Sequence, residues 1–377
     1  MSLKPFIKWP GGKSNELEII RKHLPSQIDR YIEPFLGGGS VFLSLNHDKS
    51  YVNDYSKELM AVYGVVKNDN ADFYSFLDKI NSTWKKLDLI ISNNSKELEE
   101  LYKSYSNEID LSSADTILKY KSRISQFLFK NSMDLKKLMN GNFSFDVENF
   151  IKSIEKTMIN KIIRMKKIEL QRGALSESDV LKNIETAFKS GYYIHFRHLY
   201  NEKDSFDLSI GESAAMFYFI REYCYSSMFR YNSEGKFNVP YGGMSYNNKD
   251  FGKKIAYLRS VGLRDRLKIT DLYALDFEKF LSMVAPKKND FIFLDPPYDT
   301  DFSTYAQNNF DKSDQIRLAE YMKNSEANFM LIIKNTEFIK KIYNVKKLNI
   351  IGFNKKYQVS FKNRNDKDVE HLLIKNY

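Results

Sequence analysis

The sequence predicts an α/β fold in which a largely helical segment interrupts a mostly parallel sheet. Short apolar runs alternate with helical stretches near both ends of the chain, and this alternation is typical of parallel sheets. From about residue 68 to residue 222 the sequence becomes charged and periodic, rich in Ile, Leu, Lys and Glu. With 377 residues, the chain also exceeds the size at which one hydrophobic core usually stops growing. We therefore expect two domains.

The strand predictions rest on short apolar runs. The first two, "YIEPF" (31–35) and "YVND" (51–54), flank a glycine-rich turn and the helical stretch "SVFLSLNH" (40–47). The later runs lie within 267–277, 291–298, 328–335 and 346–353. The final stretch, "YQVSFKNRNDKDVEHLLIKNY" (357–377), has strand-like runs around a turn-rich centre and predicts a terminal hairpin.

One long helix is predicted within the inserted segment. Apolar side chains recur there at i+3 and i+4 spacing: Ile151, Ile154, Met158, Ile162 and Met165. This spacing predicts an amphipathic helix with one buried face. The lysines of the same helix either follow a phosphate backbone or form an ordinary solvated face.

Composition narrows the classes of function. Hydrophobic residues make up 42% of the chain and charged residues 28%, and no run approaches the roughly 20 apolar residues of a membrane span. The start lacks the apolar run of a signal peptide, so we expect a cytoplasmic protein. The single cysteine, Cys224, gives neither a disulfide nor a zinc cluster, and we expect no metal. A net charge of +10 favours nucleic acid as a partner, although Lys-rich proteomes also give basic proteins.

Two glycine-rich stretches suggest a nucleotide ligand, but neither matches a phosphate-binding motif. A phosphate loop ending in "GGKS" (11–14) would need glycine where Ile7 stands, and "GGGS" (37–40) lacks the G-x-G-x-x-G spacing. The context still fits a nucleoside, because a strand, a glycine turn, a helix and a second strand lead to Asp54, an acid placed to bind ribose hydroxyls. S-adenosylmethionine is the common cofactor of this kind. Alternatively, the glycines only make a tight turn and Asp54 caps the next helix.

The segment "FLDPPY" (293–298) joins a buried strand to a carboxylate and two prolines. Asp-Pro-Pro ends a strand for structural reasons alone, but it also suits methylation of an amine. The exocyclic amine of adenine is a poor nucleophile, and two hydrogen-bond acceptors would draw it towards sp3 geometry. Asp295 offers one acceptor and the Pro296 carbonyl the other, while Pro297 adds rigidity. Tyr298 offers a stacking face for a base flipped out of the duplex.

Several motifs together resemble those of Dam-type, group α, DNA adenine-N6 methyltransferases. They occur in the family's order: "IKWPGGK", "YIEPFLGGGSVF", "YVNDYS", "MFRYNSEGKFNVPYGG" and "FLDPPYDT". The resemblance covers about residues 4–65 and 215–377. It implies a Rossmann-like S-adenosylmethionine-dependent methyltransferase sheet with an inserted, largely helical DNA-recognition domain. It also implies direct methyl transfer to adenine in double-stranded DNA.

The resemblance assigns roles to residues by position. The catalytic motif is Asp295, Pro296, Pro297 and Tyr298. The implied contacts to S-adenosylmethionine are Trp9, Lys13, Glu33, Phe35, Gly37, Gly39, Asp54, Asp276, Phe277 and Asp295. Within this set, Lys13 would meet the methionine carboxylate, Asp54 the ribose, and Asp276 with Phe277 the adenine. Trp9 could instead be only a packed aromatic.

The implied DNA contacts lie in the "CYSSMFRYN" and "FNVP" segments and in the terminal hairpin. They are Tyr225, Met228, Arg230, Asn232, Pro240, Lys362 and Arg364. Tyr225 would wedge into the base stack, and Arg230 would read a guanine with its guanidinium fork. Alternatively, Arg230 binds only phosphate.

Two departures from the family's pattern limit how far its residue roles and target sequence can be assigned to this chain. Ser226 and Ser227 stand where the family commonly has Asn-Gly, and the helical region before Cys224 is much longer than in a compact Dam enzyme. We therefore predict a discontinuous catalytic domain at 1–67 and 265–377. The target-recognition domain is predicted at 68–264, with an extra insertion around 85–190. GATC, or another GAT-containing site, is only the family's default target.

The family also leaves the biological setting open. We expect restriction-modification or Dam-like use, a companion restriction endonuclease as a possible partner, no membrane, and a monomer or weak dimer. Two other functions remain: a silent DNA-binding protein with the same fold, and an RNA or protein amide methyltransferase. Asn is usual at the first position of the tetrapeptide in the amide and many RNA enzymes, so Asp295 favours adenine.

Overall fold

The computed structural model describes residues 3–106, 113–133, 135, 146–298, 310–356 and 368–377. The chain divides into two compact units. Unit 1 comprises Met1–Asp69 and Tyr257–Tyr377, and unit 2 comprises Asn70–Ala256. Within the described ranges, no helix is both long enough and apolar enough to span a bilayer.

The helices and strands are numbered in chain order. The helices are α1 (Leu17–Lys22), α2 (Ser40–Ser44), α3 (Lys57–Lys67), α4 (Ala71–Asn93), α5 (Ser95–Ser106), α6 (Ala114–Lys130), α7 (Val147–Arg172), α8 (Glu177–Asn201), α9 (Ile210–Tyr223), α10 (Phe251–Leu258), α11 (Val261–Lys268), α12 (Phe277–Val284), α13 (Lys312–Lys323) and α14 (Glu337–Ile342). The strands are β1 (Tyr31–Glu33), β2 (Ser50–Asn53), β3 (Thr270–Tyr273), β4 (Phe291–Leu294), β5 (Asn328–Lys334), β6 (Asn349–Lys356) and β7 (Asp368–Lys375).

The strands of unit 1 form one sheet in the order β3-β2-β1-β4-β5-β7-β6. Strands β1 to β5 pair in parallel, whereas β7 is antiparallel to both β5 and β6. The central strand β4 consists of four apolar residues and is buried along its whole length. Each such large apolar side chain stabilises the fold by about 1.5–3 kcal/mol. The predicted α/β class is therefore confirmed.

The parallel arrangement decides where a ligand site can lie. Carboxyl ends of parallel strands meet at one edge of the sheet. The strand order runs outwards from β1 in both directions, through β2 and β3 on one side and through β4 and β5 on the other. Ligands of open α/β sheets bind in the crevice outside this edge. The loops that follow β1, β2, β3 and β4 are therefore the first place to look.

Unit 2 is built mainly of helices. The predicted amphipathic helix is confirmed as α7, whose Ile154, Met158, Ile162 and Met165 are buried and whose Ile151 is half-buried. It packs on α8, and Gly191 of α8 allows the close approach. A Cβ at Gly191 would lie 2.7 Å from the Ile154 Cα.

Two strand predictions differ from the structure in their limits. The run 267–277 yields only β3, because the Asp276 side chain accepts the Glu278 amide at 3.0 Å and so begins α12. The predicted terminal hairpin is described only in part: its second run forms β7, which pairs antiparallel with β6 from the preceding predicted run, while its first run, 357–361, lies outside the described residues. Its centre, including Lys362 and Arg364, lies outside the described residues.

Candidate active site

Asn53, the last residue of β2, ties together the loops that follow the neighbouring strands. Its Nδ2 donates to the carbonyls of Pro34 and Leu275, both at 3.0 Å, and its Oδ1 accepts the Leu275 amide at 2.8 Å. The side chain is 1% exposed. The sequence prediction missed this residue, although a buried amide at the end of an apolar strand was the available signal.

The glycine turn after β1 packs tightly against an aromatic ring on each side. Gly37 and Gly39 both have left-handed backbones, with φ of +52° and +68°. A Cβ at Gly37 would lie 2.9 Å from the Trp9 Cδ1, and one at Gly39 would lie 2.6 Å from the Tyr63 hydroxyl. Both glycines are therefore required by conformation and by space. Trp9, still half-buried, covers this turn.

Replacing Gly39 by alanine should destabilise unit 1 by about 2–3 kcal/mol, because left-handed strain adds to a steric clash with Tyr63. Thermal or denaturant unfolding measures the change. Gly173→Ala is the matched control: Gly173 also has a positive φ, of +92°, but nothing lies within 4 Å of its added Cβ. If both variants lose the same stability, the contact with Tyr63 contributes nothing.

Asp54 closes the turn from the end of β2. Its Oδ2 accepts the Gly37 amide and its Oδ1 accepts the Ser56 amide, each at 2.9 Å. Each oxygen keeps a further acceptor position. Burial raises the pKa of Asp54 to about 6, and the two amide hydrogen bonds offset part of this effect. The cap of α3 is Ser56, which accepts the Leu59 amide at 3.3 Å, so the alternative role for Asp54 as that cap is excluded.

Glu33 lies in the same region, but its carboxylate is hydrogen-bonded to another buried side chain, that of Tyr31. It is 2% exposed and its Oε2 accepts the Tyr31 hydroxyl at 2.7 Å. Burial raises the pKa of Glu33 well above its usual value, and the charges of Asp295 and Asp54 raise it further. Glu33 therefore lies beside the predicted ligand acids without facing solvent.

Asp295, the residue after β4, is paired with Lys13 of the N-terminal loop. The Lys13 ammonium donates to Asp295 Oδ1, and also to the Gly11 carbonyl at 2.9 Å. It lies 5.4 Å from the centre of the Tyr298 ring. Lys13 is 2% exposed and Asp295 18% exposed. The structure thus brings together two predicted site residues 282 positions apart, whereas the resemblance had assigned Lys13 to a ligand carboxylate.

The two prolines are held by the residues around them. Gln315 of α13 is fully buried and donates from Nε2 to the Pro297 carbonyl at 2.7 Å. The Tyr298 ring packs edge-on against His371 of β7, with centroids 5.4 Å apart. Within the described part of the chain, no hydrogen-bond donor reaches the Pro296 carbonyl. These contacts hold the backbone after β4 in place, and Pro296 itself is buried.

Asp276 and Phe277 are joined to a third residue that the sequence prediction missed. Arg317 donates from Nη2 to Asp276 Oδ2 at 3.0 Å, and its guanidinium lies 4.8 Å from the Phe277 ring centre. Burial raises the pKa of Asp276, but hydrogen bonds from Arg317 and from the Glu278 amide outweigh it and lower the pKa below its usual value. Phe35 packs on Phe277 with centroids 5.6 Å apart.

Unit 2 carries five of the predicted DNA contacts on one ribbon, residues 223–242. Tyr225, Arg230, Asn232 and Pro240 are exposed and Met228 is half-buried. The two sides of the ribbon run antiparallel, with bridges at Cys224–Tyr241 and Tyr231–Phe237. We call residues 223–242 the recognition ribbon.

Arg230 and Asn232 have different surroundings within the recognition ribbon. Arg230 donates from Nε to Asn238 Oδ1 at 2.8 Å and from Nη2 to the Asn238 carbonyl at 3.2 Å. These two bonds orient the guanidinium of Arg230, whose side chain is exposed. Asn232 instead uses its Oδ1 to accept the amides of Glu234 and Lys236, at 3.1 and 2.8 Å. That contact shapes the turn.

Comparison of the sequence with known proteins gives one matching family and several relatives. A family model described as D12 class N6 adenine-specific DNA methyltransferase matches residues 9–144 and 132–359. The chain is 23% identical over 381 residues to the Type II methyltransferase M.CviBI of Paramecium bursaria Chlorella virus NC1A, and 26% identical over 399 residues to the Type II methyltransferase M.MjaIII of Methanocaldococcus jannaschii. Both alignments cover all of each chain. A DNA adenine methylase of Salmonella typhi is 21% identical over 98% of this chain and 94% of its own.

Proposed function

Because the chain belongs to the D12 class of N6 adenine-specific DNA methyltransferases, we propose that it methylates adenine within one defined sequence of double-stranded DNA, with S-adenosylmethionine as the methyl donor. The observation that carries this proposal is the end of β4. There a carboxylate paired with Lys13, and a Pro296 carbonyl to which none of the described residues donates, follow a fully buried strand.

The chemistry assigned to this strand end is preparation of the target amine. Asp295 and the Pro296 carbonyl would each accept one N–H of adenine N6, which aligns the nitrogen lone pair for attack. The Lys13 ammonium stabilises the Asp295 carboxylate as an anion. The N–C bond would form as the bond between the methyl carbon and the donor sulfur breaks, with its electron pair going to sulfur, and the surplus proton on nitrogen would leave towards the hydrogen-bonded carboxylate or water. The flipped base would stack on Tyr298.

The residues around the glycine turn fit S-adenosylmethionine, which supplies an electrophilic methyl group when bound. Gly37 and Gly39, packed on Trp9 and Tyr63, form a turn that would present backbone without side chains to the ligand. Asp54 keeps acceptor positions that suit the ribose hydroxyls. Phe35 and Phe277 offer apolar surface for the adenine, and Trp9 covers the turn. Asp276 and its partner Arg317 would flank the adenine edge.

The raised pKa of Asp54 gives this assignment a pH dependence. The pKa is about 6, so the carboxylate is fully formed above that value and is lost as the pH falls through it. The dissociation constant for S-adenosylmethionine should therefore rise about tenfold between pH of about 8 and about 5. Titration by calorimetry or fluorescence measures it. Asp54→Asn should bind more weakly with little dependence on pH, and an equally steep curve for that variant would exclude Asp54 as the titrating group.

We assign DNA recognition to unit 2, through the recognition ribbon. Tyr225 is 46% exposed and suits insertion into a base stack, and the exposed end of Arg230 suits the O6 and N7 atoms of guanine. Met228 and Pro240 add apolar contacts, and the amide group of Asn232 remains a donor beside its turn. Lys362 and Arg364 are proposed as DNA contacts on the family resemblance alone.

The biological role is proposed from the names of the relatives and from the family resemblance. Type II methyltransferases among the relatives suggest protection of DNA from a companion restriction endonuclease, and the DNA adenine methylases suggest a Dam-like role. A site containing GAT follows from the family resemblance.

The direct test is to map modified bases. Unmethylated DNA is incubated with the protein and S-adenosylmethionine, and N6-methyladenine is located by sequencing. We expect modification at one short motif. Modified adenines scattered without a common motif would contradict site-specific action, and an absence of modified adenines despite bound cofactor would contradict the proposed activity.

A further inference from the structure

Arg221, in the last turn of α9, lies beneath the recognition ribbon and is fully buried. It donates from Nη1 to the Met228 carbonyl at 2.6 Å and from Nη2 to the Ser227 carbonyl at 2.9 Å. Its guanidinium also lies 4.3 Å from the centre of the Phe229 ring. The planar guanidinium of Arg221 thus contacts three successive residues of the ribbon, Ser227, Met228 and Phe229.

The segment that Arg221 grips has an unfavourable backbone. Ser226 and Ser227 both have left-handed φ angles, of 49° and 54°. Residues other than glycine, asparagine or aspartate seldom adopt this conformation, and consecutive examples persist only where surrounding contacts impose them. The two serines lie directly between Tyr225 and the segment that leads to Arg230. Their conformation therefore sets the directions in which these two side chains leave the ribbon.

We propose that Arg221 is a positioning residue for sequence recognition. By holding the carbonyls of Ser227 and Met228, it imposes the left-handed turn that aims Tyr225 and Arg230 at the DNA. This inference rests on the proposed function, since it takes the recognition ribbon to be the DNA-reading surface. It also explains how this chain holds two serines at positions 226 and 227 in the left-handed conformation.

The choice of arginine follows from its shape. A guanidinium presents several donors in a rigid fork, so it reaches two carbonyls at once, whereas a lysine ammonium is a point charge on a flexible stem. A cation in the last turn of a helix also interacts favourably with the helix dipole. A lysine at position 221 would keep the favourable interaction with the helix dipole. It would lose the simultaneous hydrogen bonds to the Ser227 and Met228 carbonyls. Arg221→Lys therefore separates the positioning role from simple stabilisation.

The test compares Arg221→Lys in two backgrounds. One is the natural ribbon, and the other carries Ser226→Asn and Ser227→Gly, residues that accept a left-handed backbone at little cost. Mapping of methylated adenines on genomic DNA gives the ratio of the preferred motif to its single-base variants. S-adenosylmethionine affinity and thermal unfolding are measured in parallel. Arg266→Lys is the matched control, because Arg266 is 8% exposed and donates to the His47 carbonyl in unit 1.

We expect Arg221→Lys to lower the motif ratio about tenfold in the natural ribbon and about twofold in the Asn-Gly ribbon, each compared within its own background. Affinity for S-adenosylmethionine should stay the same in both, and Arg266→Lys should not change the ratio. Equal losses in both backgrounds, or an equal loss on all DNA sequences, would overturn the inference. So would a variant that fails to fold in either ribbon. If the natural protein methylates no adenine, the proposed function fails as well.

Discussion

Replacing Asp295 by asparagine should lower kcat for adenine methylation by about a thousandfold while S-adenosylmethionine still binds. Asparagine keeps the size of the side chain and one acceptor oxygen. It removes the negative charge and adds an N–H that opposes the adenine amine. Single-turnover kinetics with labelled S-adenosylmethionine on a duplex that carries the mapped motif measures the change.

The same substitution also affects Lys13, whose 2% exposed ammonium loses its anionic partner. We expect the free energy of unfolding to fall by about 1–3 kcal/mol. Asp290→Asn is the matched control, since Asp290 precedes the same strand β4 and pairs with Arg30 while 3% exposed. It should lose stability without losing kcat. Undiminished kcat in Asp295→Asn would contradict the role assigned to the strand end.

Replacing Arg230 by alanine should relax the preference for one G·C pair of the motif, at a cost of about 1–3 kcal/mol in discrimination. The guanidinium is oriented by Asn238 and the residue is exposed, which suits two hydrogen bonds to one guanine. Methylation rates on duplexes with each base pair changed in turn measure the effect.

Arg230→Lys separates the two roles open to this residue. A lysine keeps the charge but not the fork, so it should lose discrimination nearly as much as alanine does. Lys253→Ala, which removes an 87% exposed cation outside the ribbon, should leave discrimination unchanged. If Arg230→Ala weakens methylation of all sequences uniformly and lysine restores it, then Arg230 is a phosphate contact.

The sequence best predicted those helices and strands that depend on the pattern of apolar residues within one short segment. The apolar runs predicted β1 to β5 because buried parallel strands need continuous hydrophobic side chains. The i+3 and i+4 spacing predicted α7 for the same physical reason applied to a helix face. Strand ends were predicted less well: the Asp276 side chain accepts the Glu278 amide and begins α12, and spacing alone does not reveal such a cap.

The contacts that sequence did not predict join residues far apart in the chain. Lys13 and Asp295 were both named as site residues, but their ion pair depends on the loop before α1 reaching the end of β4. Asn53, Arg317 and Arg221 were missed because each acts by holding the backbone or the charge of another residue. Polar residues of this kind occur throughout a chain, and only the folded structure shows which of them are buried at the site.

The most direct test of the account is to identify the methylated product. Natural DNA treated with the protein and labelled S-adenosylmethionine is digested to nucleosides and analysed by mass spectrometry. The account predicts N6-methyl-2′-deoxyadenosine as the labelled nucleoside, formed by the natural chain and almost absent with Asp295→Asn. Label in N4-methylcytosine, in RNA or in protein amides, or equal yields from the two proteins, would contradict it.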